Sequence, residues 1–258
     1  VDAFYEWIVK NDIPCRPSFH LSWVHIGADL DGVKPSTDVP YDAENVLKSF
    51  GCRTTFLCVS TLEPRKCQQQ ILEAFEILWH EAEDFNLVFV GQQGWKVERL
   101  VEKLRNHPER NRRLFWFEGV SDEYLENIYA ASSCLIAASL NEGFGLPLIE
   151  AARHGLPIIA RDIPVFREVA GAGAFYFQGE APDDLARAVS QWFDLFQSGT
   201  YPASKSIRWS TWEQSAEKLK VLLTKQNYRP KQLLVDISEL VQRDVKTGIQ
   251  RVVRSILK

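Results

Sequence analysis

From Thr54 onward the chain alternates short, continuously apolar runs with longer stretches whose apolar residues recur every three or four positions. The runs are Thr54–Val59, Asn86–Val90, Leu114–Phe117, Cys134–Ala138, Pro157–Ala160 and Ala174–Phe177. They are too continuously apolar to leave one face wet, so each reads as a strand covered on both sides. Between them, Gln69–Trp79 sets Leu72, Phe75 and Trp79 on one helical face, and residues 97–106 read as a charged helix. Ser121 is placed to cap a helix carrying Asp122 and Glu123 in its first turn, and Asp183–Phe193 starts acidic and continues as a helix. This alternation predicts an α/β fold, a doubly wound parallel sheet with helices on both faces. No G-x-G-x-x-G follows the first run, which removes the usual support for dinucleotide binding.

Asn141-Glu-Gly-Phe-Gly-Leu-Pro-Leu-Ile-Glu150 follows the fourth run and enters a short helix that Gly155 can stop. Gly143 and Gly145 let backbone approach a ligand, and amides around Gly143-Phe144-Gly145 at a helix N-terminus attract phosphate or sugar oxygens. Glu142 falls at the carboxyl end of a strand, where open α/β sheets place their ligands, and Glu150 follows two turns on. Carboxylates there would repel phosphate, so their natural partners are sugar and ribose hydroxyls. A helix that merely carries N-terminal acids against its dipole is the bland alternative.

A second candidate loop, Ser60-Thr-Leu-Glu-Pro-Arg-Lys66, follows the first run. It would bring Arg65 and Lys66 to the same sheet edge, where a bidentate guanidinium and a point-charge ammonium suit a diphosphate. Arg65 could equally be a solvated surface residue. Gly91-Gln-Gln-Gly-Trp95 after the second run is a flexible turn, either part of the pocket or a connection.

The 258 residues carry a formal net charge of -4, which disfavours nucleic acid as a partner. Five cysteines, odd in number and without metal-ligand spacing, point to a reducing compartment, and Cys58 and Cys134, inside apolar runs, read as buried free thiols. No metal site is expected, and no apolar run reaches the length of a membrane span. Methionine is absent even at residue 1. The chain therefore reads either as an internal piece of a longer protein or as a sequence missing its methionines.

Upstream, residues 1–15 suggest an amphipathic helix with Phe4, Trp7 and Ile8 on one face. Leu21–Asp29 suggests a short strand running into a glycine turn, with His25 as a packed or capping residue. Residues 30–44, polar with Pro35 and Pro40, read as a loop. Downstream, Trp212–Leu223 reads as a helix and 226–231 as a linker. Leu233–Ile237 then reads as a fresh strand, with a glycine-started helix over Thr247–Ile256.

The spacing from Glu142 to Glu150 resembles the E-x7-E signature of retaining glycosyltransferases of family 4, which have the GT-B architecture. Gly155–Ala160 and Asp162–Glu168 are similar to that family's next strand and loop, and the likeness runs over roughly residues 20–225. The resemblance implies a Rossmann-like sheet, the C-terminal half of a GT-B fold. It assigns 1–29 to the end of an N-terminal domain and the interdomain crossing, where His25, Gly27 and Asp29 match. Residues 30–225 become the nucleotide-sugar donor-binding domain, and 226–258 a linker and the start of a following glycosyltransferase unit. A terminal tail packed on the donor domain is the alternative for that last segment.

The implied reaction transfers a hexose, mannose by overall likeness to bacterial polysaccharide mannosyltransferases, from a nucleoside diphosphate sugar such as GDP-mannose. The acceptor would be a growing or lipid-linked glycan, and the anomeric configuration would be retained. Lys66, Arg65 and the amides of Gly143, Phe144 and Gly145 would hold the diphosphate. Glu150 would hold the ribose, Glu142 the transferred sugar, and the backbone of Val120 the base. Thr61 and Cys67 depart from the family pattern, which often has arginine and glycine there. No cofactor is implied beyond the donor. The implied setting is cytoplasmic, at the inner face of the membrane where other domains or subunits supply peripheral attachment. This chain alone, lacking the acceptor domain, would then be inactive. A non-catalytic sugar-nucleotide module, a same-fold epimerase and a phosphorylase are the rival readings.

Overall fold

A computed structural model describes residues 2–14, 22–28, 36–41 and 43–224. These fall into two compact units, one within residues 30–209 and one formed from residues of 1–29 and 210 onward. Asp29, Cys15 and the strand and helix expected over 233–256 lie outside the described residues.

In the smaller unit, α1 spans Asp2–Lys10. Ile8 is buried as expected, but Trp7 is 51% exposed and does not share its face. The strand expected over Leu21–Asp29 reduces, among the described residues, to a single bridge between Gly27 and Ser210.

The larger unit opens with α2 (Ala43–Phe50), so the loop expected over 30–44 ends in a helix that periodicity did not announce. Only its two end residues are buried, and a surface Glu44–Lys48 pair at 2.7 Å spans its turn. Six strands follow: β1 (Thr55–Val59), β2 (Asn86–Val90), β3 (Leu114–Phe117), β4 (Cys134–Ala137), β5 (Ile158–Arg161) and β6 (Phe175–Phe177). All pair in parallel, in the order β3-β2-β1-β4-β5-β6. Burial on both faces explains the continuous apolar runs: all five residues of β2 and all four of β5 are buried.

The connecting helices are α3 (Gln68–His80), α4 (Glu98–Asn106), α5 (Asp122–Ala131), α6 (Leu146–Arg153), α7 (Pro164–Ala170) and α8 (Pro182–Gln197). Ser121 caps α5 as its position suggests, accepting a hydrogen bond from the Tyr124 amide at 3.1 Å. The stretch read as a loop after the fifth strand is instead α7. Pro164 starts that helix, and Phe166, Val169 and Ala170 anchor it to the core. The smaller unit's last described helix is α9 (Trp212–Thr224).

An aromatic knot fastens the sheet to α3 and α8. Phe56 of β1 is wholly buried and meets Phe75, Phe85 and Trp192 edge-to-face, each at 5.3 Å between centroids. Such pairs add about 0.5–1.5 kcal/mol each beyond area burial, so the strand from which the first candidate loop departs is firmly held.

Candidate active site

With that strand order, the chain's connections diverge between β1 and β4: β2 and β3 lie on one side, β5 and β6 on the other. At such a switch point the loops leaving two adjacent strands part and open a crevice at the carboxyl edge. The two loops singled out from the sequence leave these two strands. They are tied together by the Leu140 amide, which donates to the Arg65 carbonyl at 2.8 Å.

The β1 loop closes with a single tight turn, Pro64–Lys66, and Cys67 in the left-handed conformation (φ 56°) hands the chain to α3. This turn directs Lys66 across the crevice, where its ammonium pairs with the Glu142 carboxylate. Both side chains are almost buried, 12% and 13% exposed. The Ser139 hydroxyl donates to Glu142 Oε1 at 2.9 Å. Arg65 Nη1 donates to the Asn141 carbonyl at 3.2 Å and lies 3.5 Å from Glu142 Oε2, while its Nε donates to Glu63 Oε2 at 2.9 Å. Three predicted residues, Arg65 and Lys66 from one loop and Glu142 more than seventy positions further on, therefore form one charge cluster. Cys58, Ser60, Ser139 and Gly145 line the same crevice, and Phe166 of α7 backs it.

Gly145 adopts φ +91° and caps α6; a side chain there would meet the Phe166 ring at 3.1 Å. Left-handed backbone at this point turns the chain from the Glu142 loop into the helix. A Cβ at Gly143 would meet nothing within 4 Å, so the loop's outer side faces open space. Phe144, between them, is half-buried.

Glu150 lies further along α6 and is not among the residues lining this crevice. Its Oε2 accepts a hydrogen bond at 2.8 Å from the Tyr129 hydroxyl, on α5. Tyr129 is buried, and its ring stacks on His154 at 5.3 Å and 6°. Burial, then the adjacent Glu150 charge, pushes the Tyr129 hydroxyl well above its ordinary pKa, so it stays a donor. The thiol of Cys58 is pushed up to about 12, first by burial, which keeps it un-ionised and unreactive beneath the crevice. Val120 is half-buried in the loop after β3, on the same sheet edge but two strands from β1.

Sequence reasoning passed over three residues. Ser139 follows β4 directly and could have been noticed as a hydroxyl at a strand's carboxyl end. Tyr129 sits at helical spacing from other core residues and reads as packing. Arg161 ends β5 with 5% exposure, and nothing in the pattern announces a buried cation there. Among the described residues no cluster of three or more His, Cys, Asp or Glu could hold a metal ion. A hollow of about 490 Å³ by Trp79, His107 and Arg113 lies elsewhere, and its Glu76 is already paired with Lys103 at 2.6 Å and His107 at 3.1 Å.

Set against known proteins, residues 43–198 match the family described as glycosyl transferases group 1. The chain belongs to that family. Among curated relatives of this glycosyl transferase group 1 chain is the serotype-specific mannosyltransferase WbdA of Escherichia coli. It is 51% identical over 212 residues, covering 82% of the chain and 25% of WbdA. The chain thus spans about a quarter of the length of that relative. Among solved structures, a glycosyltransferase from Rickettsia africae ESF-5 superposes with a TM-score of 0.61 at 18% identity, covering 85% of this chain and 60% of its own. Anabaena Alr3699/HepE, solved in complex with UDP and glucose, superposes with a TM-score of 0.57 at 17% identity, covering 72% and 53%. At those identities the likeness speaks for the fold alone, a Rossmann-like parallel sheet of the GT-B type.

Proposed function

We propose that this glycosyl transferase group 1 chain is the donor-binding part of a mannosyltransferase acting on a growing glycan. The donor is a nucleoside diphosphate sugar, GDP-mannose in our reading, and the anomeric configuration is retained. The observation that carries this reading is the Lys66–Glu142 pair at the β1/β4 switch point, beside the helix-opening Gly143–Gly145 turn. The mannosyltransferase relative and the UDP-bound structural neighbour support the substrate class.

In this mechanism Lys66, Arg65 and the amides of Gly143, Phe144 and Gly145 take the diphosphate, and Val120 meets the base through its backbone. Binding requires Lys66 to turn from Glu142 toward phosphate, which frees a carboxylate oxygen for the hydroxyls of the transferred sugar. Glu150 holds the ribose hydroxyls, steadied by Tyr129. The bond from the anomeric carbon to the phosphate oxygen breaks, and a bond to the acceptor oxygen forms on the same face. The departing diphosphate takes the acceptor's proton, and the cations and amides stabilise its growing charge. With Lys66 turned to the phosphate, Glu142 Oε1 still accepts the Ser139 hydroxyl's hydrogen bond, which suits positioning better than nucleophilic attack. The acceptor, free or lipid-linked, is gripped by parts of the enzyme outside these residues, so the chain alone binds donor without transferring sugar. Any membrane attachment comes from those other parts, at the cytoplasmic face.

Thermal stabilisation by GDP, UDP and ADP, with Lys66→Ala and Glu150→Ala as controls, tests the assignment. One nucleotide should raise the melting temperature of wild type and act weakly on both variants. No response to any nucleotide, or equal responses in the variants, refutes it.

A further inference from the structure

The visible charges of the crevice cancel. Arg65 and Lys66 face Glu63 and Glu142, two cations against two carboxylates, all mutually paired. Beneath them lies Arg161, only 5% exposed at the end of β5. Its Nε donates to the Ala138 carbonyl at 2.8 Å, its Nη1 to the Gly179 carbonyl and its Nη2 to Gln70 Oε1. The guanidinium carbon lies 4.9 Å from the centre of the Phe177 ring. Every protein hydrogen-bond partner is neutral, and among the described residues Arg161 has no carboxylate at ion-pair distance. Glu180, near enough to act on Cys67, is exposed to solvent. A buried, unpaired guanidinium is expensive to desolvate, and apolar residues hold sheets together without that penalty.

Its position gives the charge a use. Ala138 and Ser139 begin the Glu142 loop and line the crevice, so the Nε bond reaches one wall. Arg161 is also close enough to act on the thiol of Cys67, the residue after Lys66, so its charge reaches the β1 loop as well. Given the diphosphate reading above, we infer that Arg161 is a buried positioning residue that biases this outwardly neutral crevice toward anionic ligands while fixing the Ala138 carbonyl. It supplies positive potential from below without touching the ligand, and so favours diphosphate over monophosphate of the same base.

The test is titration calorimetry of wild type, Arg161→Met and Arg161→Lys with whichever pair binds wild type, GDP with GMP, UDP with UMP or ADP with AMP. Arg161→Met should reduce the preference for diphosphate over monophosphate by about tenfold, the scale of one unit charge acting at medium range in a protein interior. Arg161→Lys, which keeps the charge but cannot span three acceptors, should bind both nucleotides more weakly at a nearly unchanged ratio. A merely structural brace would weaken both nucleotides equally in both variants, and that result overturns the inference. If Arg161→Met does not fold, a collapsed ratio in Arg161→Lys overturns it instead. Failure of wild type to bind GDP, UDP or ADP removes the donor reading itself. Wild-type binding with an unchanged ratio in both variants removes only the role of Arg161.

Discussion

Replacing Lys66 by methionine removes one half of an almost buried ion pair and leaves the Glu142 carboxylate, 13% exposed, without its ammonium. Breaking such a pair from one side costs about 3–5 kcal/mol. The loss here should lie near the lower bound, because the Ser139 hydroxyl still donates at 2.9 Å and Arg65 stands 3.5 Å away. In the Lys66→Met/Glu142→Gln double variant no unpaired carboxylate remains, so about 2 kcal/mol of that loss should return. Urea unfolding at neutral pH measures all four members of the cycle. Lys66→Met alone should melt roughly 6–12 °C below wild type, at 2–4 °C per kcal/mol for a chain of this size. Nucleotide stabilisation should be weak in the single Lys66 variant and in the double one alike, since both lack the cation. Stability and binding thus separate within one cycle. A Lys66→Met protein as stable as wild type, or a double variant no more stable than that single one, would refute the reasoning.

Tyr129→Phe keeps the ring stacked on His154 but removes the donor to Glu150, so about 1 kcal/mol of stability should go. The preference of the protein for ribonucleoside over 2',3'-dideoxynucleoside diphosphates should also shrink; an unchanged preference in calorimetry would mean Glu150 does not face ribose. Gly145→Ala meets both a φ of +91° and the Phe166 ring, and about 1–3 kcal/mol of destabilisation with weaker nucleotide binding is expected from melting curves. Phe56→Ala opens a cavity against Phe75, Phe85 and Trp192 and should cost about 3–5 kcal/mol in urea unfolding. The Asp162 carboxyl is lowered to about 2, first by its hydrogen bond from Arg167 and then by one from Gln178. A depressed carboxylate stabilises above its unfolded pKa near 3.9 and loses that contribution as pH falls through 2. The stability gap between wild type and Asp162→Asn should therefore be constant above about pH 5 and close toward pH 2.

Most of the fold was legible because a buried parallel strand needs continuous apolar residues. Asn86–Val90 and Leu114–Phe117 have the boundaries read from their runs. What escaped was held by tertiary contacts rather than by periodicity. α2 buries only its ends, and α7 is seven residues long, too short for a repeat to show. Trp7 and Ile8 are neighbours in a helix, so one can be buried while the other is exposed. At the crevice, strand-end positions and glycines marked Arg65, Lys66, Glu142 and the Gly143–Gly145 turn. That Lys66 and Glu142 bind each other is a property of strand order, which brings β1 beside β4, and local sequence holds no record of it. Tyr129 and Arg161 hid for a related reason: a buried tyrosine looks like core until its hydroxyl's partner is known, and a buried arginine until its acceptors are.

A structure of the protein soaked with GDP at saturating concentration tests the central claim most directly. The pyrophosphate should sit between β1 and β4, within hydrogen-bond reach of Lys66 Nζ and the amides of Gly143–Gly145, with Lys66 turned away from Glu142. A nucleotide bound elsewhere, or a crevice still closed by the Lys66–Glu142 pair at saturation, would contradict it.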